Sequence, residues 1–141
     1  MLVSACLLGL CTRYDGSHAR RREVFDALGA RTAVAVCPEQ LGGMATPRPR
    51  VEIRGGDGAD VLDGRAAAVD EEGRDVTALM LRGAFQTLGL ARISSAREAL
   101  LKERSPSCGV VAVARGAGER SGRGVAAALL ERNGIRLKGF S

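Results

Sequence analysis

Aromatic side chains are scarce in this sequence: its 141 residues include one Tyr, three Phe and no Trp. A core built without them must consist of Leu, Val, Ile and Ala, a composition that suits the buried strands and helices of an α/β layer structure. The scarcity also argues against binding of single-stranded nucleic acid, because such proteins stack bases on aromatic rings. We therefore expect no stable nucleic-acid partner, while the net charge of +5 favours a small anionic substrate or nucleotide.

Long hydrophobic runs are also lacking, since no segment reaches the roughly 18 apolar residues that a membrane-spanning helix needs. The apolar stretch over residues 1–10 has no basic residues before it and leads directly into a polar segment. We interpret it as a first strand rather than a signal peptide, so the sequence predicts a cytoplasmic protein without a membrane partner. In that reducing compartment, four cysteines indicate metal binding or catalysis rather than disulfides.

Strand and helix patterns alternate along the chain. This alternation predicts an α/β fold in which a mainly parallel sheet is flanked by helices, as in Rossmann-like layers. The length suits a single domain comprising residues 1–141. The predicted strands are 2–6, 32–37, 51–53, 61–69, 99–102 and a short one from Ile135. The predicted helices run from Ser17 to Gly29, from Asp75 to Gly89 and over 124–133, with loops at 7–16 and 40–50.

Three of the four cysteines follow predicted strands. Cys6, Cys37 and Cys108 each lie at or just after a strand's carboxyl end, on a turn that contains Gly or Pro. Parallel sheets bind ligands beyond this edge, so we expect the three thiols to converge. Such a set suits a soft metal centre with one open coordination position, whereas structural zinc usually takes four ligands in paired spacing, which this chain lacks. For each cysteine alone, packing as a buried free thiol is the alternative.

Longer motifs surround these cysteines. The sequence contains Val3 followed by SACLLG at 4–9, RYDG at 13–16, CPE at 37–39, Gly43, PR at 47–48, EI at 52–53, DVT at 75–77, LKERSPSCG at 101–109, GV at 124–125 and NGI at 133–135. With these motifs in this order and spacing, from residue 3 to residue 135, the chain resembles the 2-thiouracil desulfurase family. The match is specific to the family and less specific to one substrate.

The resemblance implies an enzyme that contains a [4Fe-4S] cluster. The cysteines of the SACLLG, CPE and SPSCG motifs would hold the cluster, and these are Cys6, Cys37 and Cys108 here. Three protein ligands leave one iron open for the sulfur of the substrate. The resemblance also implies that Glu39 and Ser105 are catalytic. The implied activity is the removal of sulfur, as sulfide, from a small thiolated heterocycle such as 2- or 4-thiouracil.

These parts allow a hydrolytic reaction without net electron transfer. An open thiophilic iron would polarise the C=S bond as a Lewis acid. Glu39 would act as general base and then as general acid, since it lies two residues from Cys37. Ser105 would hold the substrate by a hydrogen bond, and attack by water would leave C=O on the product. No glycine-rich stretch has the GxGxxG form of a dinucleotide site, so a reductive route lacks an evident electron donor.

Several alternatives stay open at this point. Glu39 is either catalytic or only a cap of the following turn, and Cys11 is either a spare ligand or a loop thiol. Arg48, Arg50 and Glu52 either form a structural ion network or bind an anionic substrate. The whole protein is either the desulfurase or a non-catalytic carrier of sulfur or iron–sulfur clusters. A carrier needs no proton-transfer group, so Glu39 favours the enzyme.

The segment 110–123 departs from the family pattern. Family members usually carry an aromatic-rich stretch there, similar to Tyr-Asp-Gly-Thr-Phe, whereas this chain has small and charged residues and no aromatic side chain. If the segment shapes the substrate pocket, this departure bears on the identity of the substrate and not on the binding of the cluster.

Overall fold

Four parallel strands form the centre of the computed structural model, which describes residues 1–141. The strands of the chain are, in order, β1 (Leu2–Ser4), β2 (Val34–Val36), β3 (Val51–Arg54), β4 (Ala67–Asp70), β5 (Glu98–Lys102), β6 (Ala112–Arg115), β7 (Gly118–Ser121) and β8 (Arg136–Phe140). The helices are α1 (Arg22–Leu28), α2 (Pro38–Leu41), α3 (Gly58–Leu62), α4 (Thr77–Ile93) and α5 (Val125–Arg132). A 3₁₀ turn, Ala5–Leu8, follows β1.

The central sheet has the strand order β2-β1-β5-β8, and every neighbouring pair in it is parallel. All four carboxyl ends therefore lie at one edge. Two small two-stranded antiparallel sheets, β3-β4 and the hairpin β6-β7, lie outside the central sheet. The predicted fold class, an α/β domain with a parallel sheet flanked by helices, is confirmed. No helix of the chain has both the length and the apolar character needed to cross a membrane.

Helices cover both faces of the sheet because successive strand residues point to opposite sides. On β1, Leu2 contributes to the larger core, which contains the apolar sides of α3, α4 and α5. The next residue, Val3, contributes to a smaller core with Val24 and Leu28 of α1. Both core residues of β1 are fully buried. The strand is thus fixed from two sides, and Cys6 and Leu7 of the turn that follows it belong to the smaller core.

The CPE motif lies on a short helix that packs very closely on α4. A β-carbon at Gly83 of α4 would collide with the carbonyl oxygen of Pro38, and one at Gly42 would collide with the carbonyl oxygen of Leu79. Two glycines thus bring the two backbones together, as glycine allows. The contact fixes α2 against the core.

Two predictions from the sequence were wrong between residues 38 and 70. The segment 61–69 is not one strand: α3 ends at Leu62 and β4 begins at Ala67. The helix forms because Asp57 and Asp60 make a reciprocal capping box, in which each side chain accepts a backbone N–H from the other residue. The predicted loop 40–50 begins inside α2, which starts with Pro38 at its first position, where a missing N–H costs nothing.

Two predicted helix boundaries also differ from the structure. Ser17 does not cap α1, because its N–H and hydroxyl both donate to Asp15, and the helix begins only at Arg22. Helix α4 does not end at Gly89 but continues to Ile93. Helix α4 packs on α2 and α5, and this tertiary packing outweighs the low helix propensity of Gly89.

The atypical segment 110–123 forms the β6-β7 hairpin, which the sequence did not predict. The buried carboxylate of Glu103 anchors its base by accepting backbone N–H groups from Val110 at 2.7 Å and Val111 at 3.1 Å. The backbone of Arg104 adds bonds to Ala112 and Ala114. The hairpin therefore depends on residues just after β5, outside its own sequence.

Candidate active site

A cavity of about 490 Å³ lies beyond the carboxyl ends of β1, β2 and β5. This is the edge at which open parallel sheets bind ligands. Five of the residues that line it are the predicted ligands and catalytic residues: Cys6, Cys37, Cys108, Glu39 and Ser105. The structure thus brings all five predicted site residues to one cavity. Cys11, by contrast, is exposed and does not line it.

Cys6 is held by the 3₁₀ turn after β1. Its carbonyl oxygen accepts N–H groups from Gly9 at 3.2 Å and Ala19 at 2.9 Å. Gly9 has a φ of 99°, in the left-handed region that glycine adopts without strain. The SACLLG motif is therefore a strand followed by a closed turn, which orients a buried cysteine.

Cys37 is the N-cap residue of α2. Its carbonyl accepts the N–H of Leu41, and its half-buried side chain reaches the loop on the other side of the cavity. The thiol Sγ lies 3.7 Å from the carbonyl oxygen of Thr12 and 3.8 Å from Nη2 of Arg48. Because α2 is fixed on α4, the position of this thiol is set by the core.

Cys108 lies on a tight turn that Ser105 closes. The hydroxyl oxygen of Ser105 accepts N–H groups from Ser107 at 3.2 Å and Cys108 at 3.0 Å, and its carbonyl accepts that of Gly109. A β-carbon at Gly109 would collide with the carbonyl oxygen of Ala112. Ser105 thus has a clear structural contribution, and its hydroxyl proton is still available to donate.

Burial makes two of the three thiols reluctant to ionise. Desolvation raises the pKa of Cys6, and the neighbouring Cys37 raises it further. Desolvation also raises the pKa of Cys108 strongly, while a hydrogen bond with Ser4 partly opposes the increase. Thiolates at these positions need a bound cationic centre, and coordination by soft metals supplies one.

Glu39 forms a buried ion pair with Arg48. Nε of Arg48 donates to Oε1 of Glu39 at 2.9 Å, and the two side chains are 5% and 10% exposed, Arg48 being the more buried. The second oxygen of Glu39, Oε2, accepts no hydrogen bond from the protein. Every fully buried side-chain nitrogen or oxygen has a partner, so Oε2 retains accessible surface, and Glu39 lines the cavity. The arrangement leaves one carboxylate oxygen free for a substrate or water.

Three basic side chains at the cavity have no carboxylate partner: Arg13, Arg50 and Lys102. The guanidinium groups of Arg13 and Arg50 lie 5.7 Å and 5.2 Å from the ring centroid of Tyr14, within cation–π distance. Burial, with Arg13 nearby, lowers the pKa of Lys102. Basic side chains around the cavity thus outnumber acidic ones, five to three.

Arg48, Arg50 and Glu52 each have a different partner in the structure. The three do not form one ion network: Arg48 pairs with Glu39, Arg50 packs on Tyr14, and Glu52 lies 4.0 Å from Arg115. Lys102, Arg13 and Tyr14 lie within the sequence motifs, but the motifs alone did not mark them as site residues. A signal was present for Lys102, because it ends a buried strand of the parallel sheet.

The donor set fits an iron–sulfur cluster better than a single metal ion. No group of three or more Cys, His, Asp or Glu side chains is close enough to hold one ion. A cluster distributes its thiolate ligands over separate irons and accepts cysteines as its usual ligands. Three cysteines from three different turns, facing one cavity with unpaired cations, satisfy that requirement.

Comparison with known proteins agrees with this geometry. The family model of 2-thiouracil desulfurase matches residues 1–139. The chain belongs to the 2-thiouracil desulfurase family. The chain is also similar to the uncharacterized protein YbbK of Bacillus subtilis (strain 168). The two are 46% identical over 140 residues, which cover 97% of this chain and 93% of YbbK.

A solved structure is similar to this desulfurase-family chain as well. It is that of the [4Fe-4S]-dependent thiouracil desulfidase TudS, with a TM-score of 0.84 and 44% identity. The alignment covers 99% of this chain and 89% of TudS. The resemblance identified from the motifs is therefore confirmed, and the fold is that of TudS.

Proposed function

We propose that this protein is an iron–sulfur-dependent desulfurase that removes sulfur, as sulfide, from a small thiolated heterocycle such as 2- or 4-thiouracil. The observation that carries the proposal is that three thiols converge on a single cavity with the carboxylate of Glu39, one oxygen of which has no protein partner. Membership of the 2-thiouracil desulfurase family and the similarity to TudS support it.

Cys6, Cys37 and Cys108 would hold a [4Fe-4S] cluster in this proposal. Three ligands for four irons leave one iron without a protein thiolate. When bound, the cluster supplies a thiophilic Lewis acid that polarises the C=S bond of the substrate. The cations Arg13, Arg50 and Lys102 offset the negative charge that the thiolates and Glu39 bring to the cavity.

Glu39 supplies the proton transfers. Oε2 faces the cavity and accepts a proton from the attacking water, while Oε1 stays bonded to Arg48. The same oxygen then returns the proton to the departing sulfur, since one carboxylate can act as base and acid in turn. The hydroxyl of Ser105 donates to the substrate and keeps it in place.

The reaction balances as a hydrolysis. Water adds at the carbon of C=S, the carbon–sulfur bond breaks, and C=O and hydrogen sulfide result. Neither carbon nor sulfur changes its oxidation state, so no electron donor is required. A non-catalytic carrier of sulfur would not need the accessible carboxylate oxygen of Glu39.

Product stoichiometry tests the proposal. The protein is reconstituted anaerobically with iron and sulfide, its visible absorption is recorded, and thiouracils are added in reductant-free buffer. We expect one sulfide per uracil, with oxygen incorporated from labelled water. Turnover that starts only after an electron donor is added would contradict the hydrolytic mechanism. A full cluster without turnover on thiolated bases, nucleosides or nucleotides would identify a carrier instead.

A further inference from the structure

We infer that Arg48 is a positioning residue of the site, which aligns the carboxylate of Glu39 and donates to the sulfur of Cys37 at the same time. The inference rests on the proposed function, because it assigns Arg48 a role toward a proposed cluster ligand and a proposed general base. It starts from the hydrogen bonds of one guanidinium group.

All five N–H donors of the Arg48 guanidinium have an acceptor. Nε donates to Oε1 of Glu39 at 2.9 Å, and Nη1 donates to the carbonyl of Ala45 at 3.2 Å and to Oγ1 of Thr46 at 2.9 Å. Nη2 donates to the carbonyl of Thr12 at 2.9 Å and to Sγ of Cys37 at 3.8 Å. The inventory of a guanidinium is five donors, so none is left over.

Burial makes this arrangement demanding. The Arg48 side chain is 5% exposed, so solvent cannot replace a missing acceptor. Its acceptors come from three separate parts of the chain: the loop after SACLLG, the turn before Arg48 itself and the α2 helix. A planar guanidinium can reach them together, and the single ammonium of Lys cannot.

Arg48 holds the carboxylate of Glu39 in one orientation by bonding to a single oxygen. The carboxylate is bonded through Oε1, which leaves Oε2 without a protein partner on a residue that lines the cavity. Without Arg48, rotation of the terminal carboxylate would be unrestrained. Because general base catalysis depends on placement of the accepting oxygen, the effect should appear in kcat more than in KM.

Arg48 also acts on Cys37. An N–H donor and a positive charge beside a ligand sulfur withdraw electron density from it, and such contacts set the reduction potential of an iron–sulfur cluster. Removing them shifts the potential in the negative direction. A residue that only supports the fold would leave the potential unchanged in a variant that still folds.

The test compares Arg48→Met, Arg48→Lys and the control Arg31→Met. Arg31 also donates three side-chain hydrogen bonds, but it is 55% exposed and does not line the cavity. Each reconstituted protein is assayed for iron, reduction potential, kcat and KM. We expect Arg48→Met to lose about 100-fold or more in kcat, with KM changed less than about threefold, and to have a more negative potential. Compared with Arg48→Met, Arg48→Lys should have a reduction potential closer to that of the wild type, but a kcat that is little improved.

A second measurement needs no cluster. In the apo protein, the Nε–H proton of Arg48 should exchange with water far more slowly than that of Arg31 when followed by nitrogen-resolved NMR. Equal exchange rates for Arg48 and Arg31 would overturn the inference. So would a wild-type reduction potential together with a wild-type kcat in Arg48→Met. If Arg48→Met does not fold, the same result in Arg48→Lys would overturn it. Loss of iron from a folded Arg48→Met protein, with full iron in Arg31→Met, supports the contact between Arg48 and Cys37. A wild-type protein that takes up no cluster would refute the proposed function, while the exchange rates would still decide the placement of Arg48.

Discussion

The carbonyl oxygen of Pro38 packs against Gly83 of α4 so closely that a β-carbon at Gly83 would lie only 1.9 Å from it. Pro38 stands between Cys37 and Glu39, one a proposed cluster ligand and the other the proposed base. The absence of a side chain at one position of α4 therefore sets how deeply α2 packs and how both residues meet the cavity.

We expect Gly83→Ala to destabilise the protein by about 1–3 kcal/mol, the usual cost of overpacking. The added methyl group pushes α2 away from α4 and displaces Cys37, so the iron content after reconstitution should also fall. Thermal unfolding of the apo protein and an iron assay measure the two effects.

Gly89 provides the matched control, because it lies on the same helix and a β-carbon there would meet nothing within 4 Å. Gly89→Ala should stabilise the helix by about 0.5–1 kcal/mol through its higher helix propensity and leave the iron content unchanged. If the two variants were equally stable and bound equal iron, the contact with Pro38 would have no role in the site.

The strand pattern of the sequence predicted that the three proposed cluster ligands would meet at one edge of the sheet. Cys6, Cys37 and Cys108 follow strands, and the carboxyl ends of parallel strands share one edge whatever their order in the sheet. Glu39 and Ser105 are near these cysteines in sequence and so come with them. The convergence thus follows from local strand patterns and one general property of parallel sheets.

The partners of these residues could not be predicted in the same way. The pair of Glu39 and Arg48 depends on the path of the chain between α2 and β3, which no periodic pattern describes. The hairpin over 112–121 depends on Glu103, whose carboxylate binds its base from outside. Both features are tertiary contacts of irregular segments, whereas the sequence patterns report only local structure.

Removal of each proposed ligand should abolish a full cluster. We expect Cys6→Ser, Cys37→Ser and Cys108→Ser to bind little iron after anaerobic reconstitution, because the hydroxyl of serine is a poor ligand for soft iron–sulfur centres. Cys11→Ser is the control, since this thiol is exposed and does not line the cavity. Full iron in Cys37→Ser, or none in Cys11→Ser, would overturn the ligand assignment.

The apo protein should show graded thiol reactivity. Burial raises the pKa of Cys6 and, more strongly, that of Cys108. At a pH near 8 a raised pKa leaves less thiolate, and the thiolate is the form that reacts. Timed alkylation followed by peptide mapping should therefore label exposed Cys11 first and Cys108 last. Labelling of Cys108 as fast as that of Cys11 would show that its turn is open in the apo protein.

Ser105 should affect stability as well as turnover. Ser105→Ala removes the oxygen that accepts N–H groups from Ser107 and Cys108, at a cost of about 1 kcal/mol. Ser105→Thr keeps that oxygen and should restore most of the stability. Kinetics measured well below the melting temperature separate the two roles: a fully folded, iron-replete Ser105→Ala protein with normal kcat would show that the hydroxyl only closes the turn.

Glu39→Gln should retain the cluster and lose most of its activity. The amide oxygen can still accept the N–H of Arg48 Nε, so the side chain stays in place, but it can no longer take a proton from water. Loss of one general acid–base group costs roughly 10²–10⁴-fold in rate. The buried Arg48 charge is then unbalanced, so the melting temperature should fall too. Iron content and kcat are therefore measured at a temperature where the variant is folded. Full kcat under those conditions would mean that Glu39 serves only to neutralise Arg48.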